Sequence, residues 1–432
     1  MEELLHYCWK HRMLPEQLNE AATDAPIEIV DPGLHNHNSG PDFFNAKVKI
    51  NGNVWVGNVE IHQRSTDWYR HNHHTDPAYD NVILHVVAKV DGEVETSNGQ
   101  KLPQVVIEVP RHVQENYRQL LAIDRYPPCY AIIPDLSRIM VHSWMNALQI
   151  ERLQQKTEAI ERRVKLCDGS WEAAYFATLA RSFGFGVNTD AFEMWALTIP
   201  PHTADHHRDD IFQTEALFFG QAGLLDAENI DKKRLQQARQ DDYFDRLGEE
   251  YRYLSHKFNL TPIDGKIWRF MRLRPQNFPY IRLAQLANLY CSRKAELGRL
   301  CDCETTRQAK ELLQTSATEY WQSHYSFGAE SKRAGKHLSD ASLNILIINA
   351  VVPMLFAYGR HLSREDLTNR ALDFLQEIKP EANHVVNMWK ACGLEAENAG
   401  DSQALLQLKS VYCDKRDCLR CRIGYEYLKA KK

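Results

Sequence analysis

The sequence predicts an α+β protein, an α/β domain followed by a mostly α-helical region that ends in a cysteine cluster. Three observations predict it. Runs rich in Val, Ile and Trp that alternate with polar residues are confined to the part of the chain before residue 110. Beyond it, apolar residues recur at three- and four-residue spacing. Cys413, Cys418 and Cys421 then fall within a single short segment near the end. The boundaries read as 1–123 for the α/β domain, 124–136 for a linker, and 137–432 for the helical domain, with its Cys-rich segment at about 384–424. A chain of 432 residues exceeds one comfortable core, so a division is expected.

The elements follow in order. Residues 2–12 form an amphipathic opening segment, and residues 31–40 a polar loop containing His35 and His37. Asn51-Gly52, between two strand-like runs, is the strongest short hairpin signal. Alternation places Val59 and Ile61 on one face of the second strand and Glu60 and His62 on the other. Folding the hairpin carries Asp42 towards Glu60, and two carboxylates held close call for a cation between them. Further strands are expected at 82–87 and 105–109, then a helix at 111–122. Tyr126-Pro127-Pro128-Cys129-Tyr130 punctuates the linker. Helices are expected over 137–160, 171–183, 189–196, 212–224, 247–258, 282–289, 309–321 and 342–358.

At Pro41-Asp42 and Glu60-Ile61-His62 the chain resembles the PD-(D/E)XK nuclease superfamily, with His62 where the pattern has lysine. The resemblance covers about the first quarter of the chain. It implies a restriction-endonuclease-like fold around a central mixed sheet, with Asp42 and Glu60 holding a divalent cation and the Ile61 carbonyl as a further ligand. It also implies an acidic residue from the first helix, for which Glu2 and Glu3 are placed. Mg²⁺ suits such a site, because it takes few carboxylates and keeps several waters. A lysine would bring a permanent charge, whereas histidine carries one only below about pH 6.5. Over nearly its full length the chain is also identified as a member of an uncharacterised bacterial family of unknown function. Gly40-Pro41-Asp42-Phe43, Val59-Glu60-Ile61-His62 and the C-terminal cysteines carry that resemblance.

Histidines gather around the same residues. Of the 19 in the chain, His6, His11, His35, His37, His62, His71, His73, His74 and His85 lie in the first 85 residues. Zn²⁺ and Mn²⁺ accept imidazole and carboxylate together, so a mixed site rivals a Mg²⁺ site. The bland alternative is a solvated polar loop and a hydrogen-bonded core histidine at position 85.

The formal charge of −5 excludes wholesale coating of nucleic acid but leaves room for a local basic groove. The acidic opening residues do not read as a signal peptide, and the apolar stretch at 345–358 contains Asn349 and Pro353 and is short for a membrane span. The expected setting is cytoplasmic, without a membrane, where ten cysteines read as thiols or metal ligands. Cys413, Cys418 and Cys421 end in a C-x₂-C step that suits zinc or an iron–sulfur cluster. The fourth ligand is open among Cys392, the Cys301/Cys303 pair and His384. Free thiols on a basic tail are the alternative. Residues 268–282 alternate aromatics with Arg269, Arg272, Arg274 and Arg282, a combination that holds phosphates and stacked bases; loop anchoring and helix capping explain it as well.

The favoured function is metal-dependent cleavage of nucleic-acid phosphodiesters by Asp42, Glu60 and His62. The competing readings are an inactive nucleic-acid-binding or scaffold protein on a nuclease-like fold, and a His/carboxylate metallohydrolase acting on another ester.

Overall fold

The computed structural model describes residues 2–15, 17–36, 38–230 and 232–431. The fold is α+β, with a mixed N-terminal sheet and a mostly helical remainder. Two compact units emerge, Met1–Arg138 with Lys409–Lys432, and Ile139–Leu408. The sheet unit thus takes in the chain end that the sequence assigns to the helical domain. Apolar periodicity reports that the tail is helical, but carries no information on which core the helix joins.

The sheet unit opens with α1 (Glu2–Lys10), two residues shorter than the expected segment. Its strands are β1 (Leu18–Asn19), β2 (Pro26–Asp31), β3 (Leu34–His35), β4 (Phe43–Ile50), β5 (Asn53–Arg64), β6 (Val82–Lys89) and β7 (Gln104–Val106). They form one sheet in the order β1-β2-β4-β5-β6-β7, with β3 beside β4. The β2, β4 and β5 pairings are antiparallel, and β5–β6 and β6–β7 are parallel. The β4–β5 turn has Asn51 at φ 50° and Gly52 at φ 81°, both positive as a type I′ turn requires. A parallel neighbour needs a crossover. Between β5 and β6 it consists of α2 (Asp67–Arg70) and two 3₁₀ turns, His73–Thr75 and Pro77–Tyr79.

Both faces of this sheet are covered. Under one face Leu5, Trp9, Phe43, Val59, Ile61 and Val113 form an apolar core, which Leu428 of the C-terminal helix Arg422–Lys429 completes. Asn116, on α3 (Arg111–Ala122), clamps that helix by donating from Nδ2 to the carbonyls of Leu428 at 3.2 Å and Ala430 at 2.9 Å. On the crossover side Trp68, Tyr79, Val82, Val94 and Leu102 form a second, smaller cluster. Glu60 and His62, on the opposite side of β5 from Val59 and Ile61, are therefore buried too, with 5% and 1% of their surface exposed.

The second unit is helical apart from one small hairpin, His324–Ser326 with Ala329–Glu330. Its core includes Phe183, Trp195, Phe218, Phe219 and Trp321. Trp171–Phe183 starts and stops where expected, and 189–196 lengthens by one residue to Thr189–Leu197. The expected helix at 309–321 is instead two, Thr306–Leu313 and Glu319–Gln322. The hydroxyl-rich break between them binds backbone elsewhere: Thr315 Oγ1 donates to the Gln285 carbonyl, and the Ser316 carbonyl accepts from Asn288. Asp340–His361 is one 22-residue apolar helix, longer than the stretch read from sequence and long enough by composition to cross a membrane. Some 67% of its most apolar window is buried within the protein, as in the core helix of a bundle. A π-type turn at Ile347–Val351 precedes Pro353 and accommodates it without ending the helix.

Candidate functional site

Asp42 and Glu60 meet at the open end of the β4–β5 hairpin. A bulge after Phe43, with Asn45 at φ 56°, shifts the register so that Phe43 faces Val59. Asp42 N–H then donates to Glu60 Oε2 at 3.0 Å, while Asp42 Oδ2 accepts from the Ile61 N–H at 2.9 Å. Backbone amides of each strand thus hold the carboxylate of the other. From α1 it is His6 that arrives, with Nε2 3.3 Å from Asp42 Oδ2. The first helix supplies an imidazole where sequence reasoning placed Glu2 or Glu3. His6 sits on the polar face of α1 with Glu2, Glu3 and Lys10, the signal that would have marked it.

The crossover brings further imidazoles. Asp67 accepts from the Arg64 N–H at 3.1 Å and ties the chain down after β5, and Asn72 at φ 61° turns it back over the strand. His73 is thereby buried, stacked on Tyr79 with ring centroids 3.8 Å apart. Its Nε2 lies 3.2 Å from Glu60 Oε1, at an angle that makes no hydrogen bond. His62 Nε2 is 3.6 Å from the same oxygen and 3.0 Å from His71 Nδ1. On its other side His62 Nδ1 lies 2.9 Å from Nε2 of His85, the residue paired with Glu60 in the parallel ladder. Ligand atoms of His62, His71 and His73 all fall within 4.8 Å of one another. His74 packs its ring on Tyr69 instead, His35 stacks on Phe43, and His37 lies outside the described residues.

Burial sets the electrostatics. Desolvation, reinforced by the Asp42 charge, pushes the Glu60 carboxyl above its ordinary range. Desolvation and the neighbouring imidazoles drive His62 down to about 2, and burial takes His85 down to about 4. Both rings are neutral, the form that binds metals. His6 behaves oppositely: burial lowers it, but the hydrogen-bonding and charge of Asp42 outweigh that and raise it above 6.5.

His6 and His35 also line a cavity of about 670 Å³ whose wall carries Lys10, Lys415, Arg416 and Arg420 beside the acids Glu3 and Asp417, the latter 3.3 Å from Arg420. Lys10 is pushed down by burial and by the charge of Arg420, so the two cations are close enough to repel. Sequence reasoning missed this basic wall because its members lie at opposite ends of the chain.

The other expected sites lie elsewhere. Arg269, Arg272 and Arg274 are exposed in the helical unit, whereas Arg282 is buried. Its guanidinium donates to Gln285 and Asn277 and covers the Phe185 ring, so the four arginines do not form one exposed array. Cys392 ends the helix His384–Ala391 in that same unit, while Cys413, Cys418 and Cys421 belong to the sheet unit. The residue that joins those three around one small cavity is Cys129, from the linker.

No curated protein and no solved structure matches the chain. A family model, described as protein of unknown function (DUF2851), matches residues 2–384, and the chain belongs to that family.

Proposed function

We propose that this protein is a metal-dependent hydrolase of nucleic-acid phosphodiesters, its site built on Asp42, Glu60 and the crossover histidines. One observation carries the reading: Glu60 meets His62 and His73, His71 joins those two imidazoles, and Asp42 hydrogen-bonds beside them next to a cavity that carries four cationic side chains. Asp42 on one strand and Glu60-Ile61-His62 on the next follow the PD-(D/E)XK pattern, which supports a restriction-endonuclease-like reading of the sheet unit.

The donor set fits a cation. Glu60 Oε1 has two imidazole nitrogens within 3.6 Å, and the buried Nε2 of His73 has no other partner. Mixed nitrogen and oxygen donors favour Mn²⁺ or Zn²⁺ over Mg²⁺. When bound, such an ion lowers the pKa of a coordinated water and offsets charge on the phosphate. The chain's own residues do the rest. His85 holds the His62 ring through Nδ1 and so orients Nε2 towards the site. Amides of Asp42 and Ile61 keep the two carboxylates converged. His62, buried and neutral, serves as a ligand; the cationic groups that receive the substrate's phosphates are those of the cavity wall, Lys10, Lys415 and Arg420, with His6 at the junction. Ten cysteines without a disulfide accord with a cytoplasmic setting.

The proximity of His71 and His73 favours a second reading, a His/carboxylate metallohydrolase acting on another ester. Cleavage of single- and double-stranded DNA and RNA with Mn²⁺, Zn²⁺ or Mg²⁺, by the natural protein and Glu60→Ala, tests both. The expected result is Mn²⁺-dependent cutting that falls to background in the variant. Hydrolysis of a small activated phosphodiester but of no nucleic acid selects the second reading. Retention of nucleic acid with no cutting by either protein replaces both with a binding protein.

A further inference from the structure

We infer that Cys129, Cys413, Cys418 and Cys421 form a four-thiolate metal centre that staples the C-terminal segment to the sheet unit. The four line one small cavity together with Pro128, Tyr412 and Gly424. Two independent features place them there. Cys129 opens the 3₁₀ turn Tyr130–Asp135 directly after Pro127-Pro128. The three later cysteines sit on consecutive tight turns, where Arg416 N–H donates to the Cys413 carbonyl at 3.1 Å and Cys421 N–H to that of Cys418 at 3.3 Å. A C-x₄-C-x₂-C run on such turns puts three cysteines on the wall of one cavity, and Cys129 adds a fourth from a distant segment.

The surroundings are built for close approach. A Cβ at Gly424 would stand 2.0 Å from the Cys418 carbonyl oxygen, so only glycine lets the C-terminal helix start this near the thiols. Tyr126 donates its hydroxyl to Asp414 at 2.9 Å, and Arg416 donates to the Leu121 carbonyl, so both segments are held in register.

The ligand chemistry is that of a zinc ion or an iron–sulfur cluster, both of which take four thiolates. The centre also reaches the basic cavity, because Cys418 lines both spaces and Lys415, Arg416 and Arg420 lie on the same turns. Its role is to fix those three cations, independently of whether the Glu60 site cleaves anything.

The test is the metal content and visible absorbance of the full chain purified with and without oxygen, for the natural protein, Cys129→Ser and Cys392→Ser. With Glu60→Ala as the common background, so that the Glu60 site does not contribute, the expected result is one metal centre per chain, unchanged on adding Cys392→Ser and lost on adding Cys129→Ser. Zinc without colour identifies a mononuclear site, and iron with sulfide and visible absorbance identifies a cluster. Alkylation mapped by mass spectrometry gives a readout on the natural protein that does not depend on the variants folding. Cys129, Cys413, Cys418 and Cys421 should become reactive together when a chelator is added, and Cys392 should not respond. Absence of metal under both conditions, or full metal content in soluble Cys129→Ser, overturns the inference.

Discussion

Glu60 and Glu215 are both buried glutamates, one in each unit, and their surroundings differ in kind. Glu215, 1% exposed in the helical core, accepts hydrogen bonds from the hydroxyls of Thr318 and Tyr243. Burial raises it to about 7. Every oxygen has a neutral donor, so the residue is complete as it stands. Glu60 has one backbone amide on Oε2, while Oε1 faces the His62 and His73 imidazoles and the carboxylate Asp42 lies alongside. What this teaches is that burial and a raised pKa do not by themselves mark a site. What separates the two is the company kept: hydroxyls around Glu215, imidazoles and a second carboxylate around Glu60.

The largest effect that sharpens the contrast is on stability. With its folded pKa raised from 4.5 to about 7, the Glu215 contribution is fully present below pH 4.5 and is lost as pH rises towards 7. The loss amounts to roughly 3 kcal/mol at about 1.36 kcal/mol per unit. Urea denaturation across this range should therefore show a fall in the natural protein that Glu215→Gln removes, leaving metal affinity unchanged. A pH-independent natural protein would place Glu215 in a wetter setting than its hydroxyl partners indicate.

A smaller effect tests the other side. His73→Ala removes a nitrogen 3.2 Å from Glu60, and should weaken Mn²⁺ binding by roughly 10- to 100-fold, measured by calorimetry. Equal affinity in the variant would return His73 to a purely packing role against Tyr79. Smallest is the cavity wall. Lys415→Gln should weaken binding of single-stranded nucleic acid and reduce the salt slope by roughly 0.7, the share of one phosphate contact. An unchanged slope would take the substrate elsewhere.

Local signals made the hairpin legible: Asn51-Gly52 fixed its turn, and alternation put Glu60 and His62 on a face away from Val59 and Ile61. The convergence of Asp42 and Glu60 followed from it. What the sequence did not reveal depends on contacts without periodicity. His6 reaches Asp42 from another element, and Asn72 reverses the chain so that the 71–74 run, an apparently solvated loop, brings His71 and His73 to His62. Cys129 lines one small cavity with Cys413, Cys418 and Cys421 across most of the chain, and nothing in the spacing of the cysteines set it apart from Cys392, which belongs to the other unit. Arg282 looked like its exposed neighbours because an arginine turned inward is spelled the same as one turned outward.

The most direct measurement is a titration of Mn²⁺ followed by electron paramagnetic resonance on the natural protein, Glu60→Gln and Glu215→Gln. Mn²⁺ is chosen because it favours oxygen and imidazole over thiolate, so the cysteines do not compete. The account predicts a bound ion in the natural protein and in Glu215→Gln, and loss of that binding in Glu60→Gln. Equal binding by Glu60→Gln, or none by the natural protein, would contradict it.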